Sequence, residues 1–140
     1  MAIQIKSRKA KARRLQNYIR DKLRTIFKRY QDNMIDKLKP LNIAFYETNP
    51  EENIKAQVMG QSGSDIILSS AAKEIFPITI ECKNQEGFEN IYKAWHQAVT
   101  NTKVIGEKSV VVIKSNKRIP LAIIDLEYFM ELLEWKIMNS

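Results

Sequence analysis

The chain reads as a single α/β domain, and three observations predict it. Two stretches, residues 15–38 and 126–138, carry apolar residues at three- and four-residue steps, the period of a helix with one buried face. Short runs rich in β-branched residues, at 54–59, 65–68, 78–83, 110–113 and 121–124, have the length of strands and are bounded by turn residues. A length of 140 residues with 44% hydrophobic content is enough for one core and too little for two. The expected order is α-β-β-β-α-β-β-α, helices flanking a mixed central β-sheet.

Each element has its own signal. Residues 1–14 form a basic N-terminal arm, expected to order only against phosphate, and residues 15–140 form the domain. On the first helix Leu15, Ile19, Leu23, Ile26, Tyr30 and Met34 fall on one stripe. Lys39-Pro40 ends it, because the residue before a proline disfavours helical backbone. Residues 42–53 read as a loop with Asn49-Pro50 as its turn signal. Strand 54–59 passes through Gly60-Gln61-Ser62-Gly63 into the strand carrying Asp65. Residues 71–76 make a helical turn, and Pro77 opens the next strand, where its missing donor is tolerated. A helix over 88–102 places Phe88, Ile91, Tyr92, Trp95 and Val99 on one side. Two buried strands, 110–113 and 121–124, are joined by the basic hairpin loop 114–118, and the last helix follows.

Composition narrows the function. No apolar run approaches the roughly 18 residues of a membrane span, and the N-terminus lacks a signal-peptide core. One cysteine excludes an internal disulfide, and with a single histidine zinc is disfavoured. An intracellular, cytoplasmic protein is expected. The net charge of +7 is uneven: residues 1–40 hold thirteen Lys and Arg against Asp21, Asp32 and Asp36, whereas the remainder is net acidic. A basic quarter on an acidic body points to a polyanion partner.

The chemistry-bearing pattern is Asp65, followed sixteen residues on by Glu81-Cys82-Lys83. Alternation along a strand puts Glu81 and Lys83 on one face and Cys82 on the other, in the core. If the two strands pair, Asp65 reaches the same patch. Two carboxylates and an ammonium suit metal-dependent phosphodiester cleavage: hard oxygen ligands for Mg²⁺ or Mn²⁺, and positive charge beside the attacked phosphorus. Glu134-Trp135-Lys136 matches the same short motif. It lies on a helical pattern, where residues two apart do not share a face.

This order of elements, with Asp65…Glu81-Cys82-Lys83, resembles the PD-(D/E)xK nuclease superfamily, and within it small phage and archaeal Holliday-junction-resolvase-like endonucleases. The resemblance implies a restriction-endonuclease-like core and catalysis by Asp65, Glu81 and Lys83, assisted by Gln97. It implies a metal held by Asp65, Glu81 and the Cys82 carbonyl. Where the family often has a further Glu on the first helix, this chain has Gln16. Gln16 either holds a metal-bound water or leaves the site with fewer acidic ligands. Lys9, Lys11, Arg13, Arg14, Lys93, Lys117 and Arg118 are expected to contact branched or duplex DNA. Paired nicking of a junction implies a homodimer, for which Phe129, Leu133 and Trp135 are candidates. Other nucleases of the fold (flap, nicking or exonuclease), a decayed non-catalytic DNA binder, and an RNA-binding protein driven by the basic arm remain alternatives.

Overall fold

The computed structural model describes the backbone of residues 2–38, 48–87 and 90–140, and the side chains of 6–34, 48–87 and 90–140. The Lys39-Pro40 helix stop, most of the loop before Asn49, and Phe88 lie outside the described residues. The chain is α/β. Its order is α1 (Ala2–Leu38), α2 (Pro50–Asn53), β1 (Ile54–Ala56), β2 (Ile66–Leu68), α3 (Ser70–Ile75), β3 (Ile78–Asn84), α4 (Ile91–Asn101), β4 (Lys108–Lys114), β5 (Leu121–Ile123) and α5 (Leu126–Met138). The strands make a two-stranded antiparallel ribbon, β1–β2, and a three-stranded mixed sheet. In the latter β3 and β4 are parallel and β5 is antiparallel to β4.

The first helix is longer than its apolar stripe. It runs unbroken through the basic segment, so residues 2–14 are its opening turns and not a separate arm. Between Ser7 and Arg14 the sequence is Arg, Lys and Ala, all strong helix formers. Once residues 15–38 are helical, extending the helix costs no new nucleus. Its buried face steps by four, through Leu15, partly buried Ile19, Leu23 and Phe27, with Gln31 beyond. Ile26, assigned to the stripe from sequence, is 47% exposed, and Phe27 is the residue fully enclosed.

The three-stranded sheet has two different faces. Ile80, Cys82, Val110 and Val112 join the main core with α1 and the β1–β2 ribbon, around Leu15, Phe27, Ile54 and Ile66. Val111 on the other face packs against Ala94 and Ala98 of α4, with Trp95, Ile113 and Ile123 around them. Two alanines let α4 sit close to the sheet, so its larger apolar residues turn outward. Ile91, Tyr92 and Val99, which helical spacing places on one side, are exposed. Strand β5, expected to be buried, is an edge strand with Leu121 and Ala122 exposed.

Candidate active site

Strand β3 enters the site as Ile80-Glu81-Cys82-Lys83. Alternation sends Glu81 and Lys83 towards α4: Asn101 Nδ2 donates to Glu81 Oε1 at 2.6 Å, and Lys83 Nζ donates to Gln97 Oε1 at 2.8 Å. Cys82 points the opposite way, into the main core. Burial first, then the Asp65 and Glu81 charges, push its thiol well above the usual range, so it stays protonated and inert.

Asp65 arrives by a different route from the hairpin expected. It lies in a bend just before β2, and α3 separates β2 from β3 in the chain. The two meet edge to edge at the site. Asp65 N donates to the Ile80 carbonyl at 3.1 Å, and Cys82 N donates to Asp65 Oδ2 at 2.7 Å. A strand residue turns its N–H and C=O to the same edge, so the Cys82 carbonyl also faces Asp65. The loop leading to Asp65 is held by Gln57. Its N–H donates to the Asp65 carbonyl at 2.8 Å, and its Nε2 to the Ser62 carbonyl at 3.3 Å. Gly60 and Gly63 adopt φ of 85° and 103° there, a turn that side chains with a Cβ resist.

The first helix contributes Gln16, which is buried and donates from Nε2 to Asp65 Oδ1 at 3.1 Å. Its side-chain oxygen is not used in that contact. Asp65, Glu81, Lys83, Gln16 and Gln97 therefore line one open cleft of about 610 Å³, together with Asn101. Thr100 and the Gln61–Gly63 segment also line it.

Electrostatically the site is under-compensated. Glu81 is 1% exposed, and its carboxyl is raised from 4.5 to about 7. Burial is the main cause; the Asn101 hydrogen bond opposes it, the Asp65 charge adds to it, and Lys83 offsets a little. Among the described residues no group of three or more His, Cys, Asp and Glu side chains is placed to hold a metal. The donor set is two carboxylates, a main-chain carbonyl and an amide oxygen. That set fits a hard divalent cation that keeps part of its water shell, since Mg²⁺ is commonly held by one or two carboxylates plus waters and phosphate oxygens.

Basic residues gather beside the cleft. Arg8, Lys11 and Lys93 line a hollow that shares Asn84 and Gln85 with it. Lys11, Arg14, Lys114 and Lys117 line another hollow between α1 and the β4–β5 loop, also reaching Asn84. Asn84 ties the strand to the helix by donating to the Lys11 carbonyl at 2.8 Å. Lys9, Arg13 and Arg118 are exposed but line neither hollow. His96, the single histidine, is exposed on α4.

Sequence reasoning missed Asn101, Asn84 and Lys114. Asn101 had a usable signal, because it lies four residues after Gln97 and hence on the same helical face. The role of Asn84 depends on a contact across 73 residues of chain, which no local pattern carries. Comparisons with models of protein families, with curated proteins and with solved structures find no match to this chain.

Proposed function

We propose that this chain is a metal-dependent, structure-selective DNA endonuclease of Holliday-junction-resolvase type. One observation carries the proposal: the carboxylates of Asp65 and Glu81 converge in a cleft that also receives Lys83 and adjoins two basic hollows. A buried carboxyl near a second carboxylate is costly to ionise without a cation, and phosphodiester hydrolysis supplies a reason to keep it.

Asp65, Glu81 and the Cys82 carbonyl would hold Mg²⁺, which when bound polarises the phosphate. Gln16 orients Asp65 through its Oδ1, and Cys82 N fixes the other carboxylate oxygen. Asn101 orients Glu81. Lys83, steadied by Gln97, brings a positive charge to the attacked phosphate and the water beside it. Lys11, Arg14 and Lys117 would bear on the sugar–phosphate backbone, a contact set that positions a duplex without reading bases.

The test is cleavage of labelled four-way junction, flap, linear duplex and single-stranded DNA, in Mg²⁺ or EDTA, by wild type and Glu81→Gln. Paired junction nicks, abolished by EDTA and by Glu81→Gln, are the expected result. Metal-dependent cutting of another substrate would keep the chemistry and change the pathway. Tight DNA binding with no cutting in Mg²⁺ or Mn²⁺ would replace the proposal with a non-catalytic binder.

A further inference from the structure

On α1 the residues Lys11, Leu15, Tyr18 and Lys22 follow steps of four, three and four and so share one side of the helix. Tyr18 is nearly half exposed. With Leu15 and Pro120 it supplies the apolar lining of the small hollow between α1 and the β4–β5 loop, about 380 Å³ in volume. Lys11, Arg14, Lys114 and Lys117 line the same hollow, together with Asn84 and Asn116. The four cations suit phosphate, but phosphate gives the ring nothing to do.

Both sides of the hollow are held in place. Lys22 Nζ lies 4.9 Å from the centroid of the Tyr18 ring, an attraction that steadies the ring. Asn116 N donates to Glu86 Oε1 at 2.9 Å and fastens the β4–β5 loop to the segment that follows β3. Arg118 N donates to the Ser115 carbonyl at 3.2 Å and closes the turn. Within that turn Lys117 has a φ of 59°, left-handed backbone that glycine or asparagine adopts more readily than lysine.

We propose that this hollow receives one unpaired nucleotide of the DNA, its base stacked on the Tyr18 ring and its phosphate met by Lys11, Arg14 and Lys117. A cationic groove with an exposed aromatic ring is the combination that holds single strands, because every base has a face to stack and every nucleotide a charge to neutralise. A fully paired duplex keeps its bases in the stack and can use only the cations. A base that is already unpaired leaves the stack at least cost, so the ring favours DNA at a branch or a bulge. Asn84 lines this hollow and the carboxylate cleft alike, which puts the captured nucleotide beside the phosphodiester to be cut. The inference deepens the nuclease reading, on which it rests for the polyanion being DNA, and gives structure selectivity a named residue.

The test compares binding, in Ca²⁺, of a duplex carrying one unpaired nucleotide with the same duplex fully paired. Wild type is expected to prefer the first by at least about fivefold, the low end of what stacking one base contributes. Tyr18→Leu should bind both alike, and Tyr18→Phe should keep the preference. The slope of affinity against salt should be the same in all three, since no charge is removed. With 5-iodouracil at the unpaired position, irradiation should cross-link the base to Tyr18 of the wild type, read by peptide mass. Equal wild-type affinities would overturn the proposal, as would a preference that survives Tyr18→Leu or a cross-link to another residue; the wild-type arms decide even if Tyr18→Leu fails to fold. Cleavage of the same DNAs in Mg²⁺ separates the two readings. Cutting without the preference would remove the Tyr18 platform and keep the nuclease, whereas the preference and cross-link without cutting would keep the platform and remove the nuclease.

Discussion

At the scale of single residues, Glu81 is a carboxyl whose ionisation the fold resists. Its carboxyl is raised from 4.5 to about 7 because burial removes water that Asn101 only partly replaces. A folded-state value above the unfolded one means that the contribution to stability is complete below about pH 4.5. It is lost as pH rises through 7. The gap corresponds to about 3 kcal/mol at most. Thermal unfolding in EDTA should therefore show wild type falling by roughly 5–10 °C relative to Glu81→Gln between pH 5 and pH 8. The glutamine keeps an oxygen for Asn101 and has no proton to lose. Added Mg²⁺ should close most of the difference at pH 8 and little of it at pH 5, because a cation binds the ionised carboxylate. Parallel melting curves for the two proteins would show that Glu81 ionises freely in the folded state.

Among the elements, α1 shows most plainly how far pattern alone carries. Its existence, its pairing with the main core and the inward placing of Gln16 were legible in the apolar steps. Its register was not. From Leu23 the sequence offers Ile26 by a step of three and Phe27 by a step of four, and local spacing does not choose between them. The choice depends on the rest of the core: Phe27 joins the cluster that holds Ile54 and Ile66 of the ribbon. Phe27→Ala should cost about 3–5 kcal/mol in urea unfolding, whereas Ile26→Ala should stay within about 0.5 kcal/mol. Equal costs would mean that the helix is rotated from the position described. The same limit applies to α4, whose large apolar residues share a side in the sequence without saying which face is buried. Close helix–sheet approach needs small ones, so Ala94 and Ala98 took that place. The site divides similarly. Glu81 and Lys83 share a face because strand alternation requires it, and this was readable. Asp65 reaches them by an edge contact between two separate sheets, which depends on the loop braced by Gln57 and could not be read locally.

At the scale of the whole molecule, charge and architecture point the same way. The first forty residues carry most of the basic charge, and nearly all of those residues lie on the unbroken α1, a rod about 55 Å long at the helical rise. Only part of that rod faces the cleft. Lys11 and Arg14 turn towards the β4–β5 loop, where Lys114 and Lys117 meet them, and Asn84 joins this basic wall to the strand of Glu81 and Lys83. A duplex whose phosphate lay at the carboxylates would run along this wall. Each phosphate neutralised releases counterions, so the slope of log affinity against log salt counts the contacts at about 0.9 each. Substituting Lys11, Arg14 and Lys117 together by Gln should flatten that slope by about 2–3, measured by junction binding from 50 to 200 mM salt in the presence of Ca²⁺. Lys136→Gln, which removes one positive charge from α5, should leave it unchanged. If both substitutions flattened the slope in proportion to the charge removed, the protein would attract DNA through its net charge alone. A loss confined to the wall residues instead fixes the path of the backbone past the carboxylates.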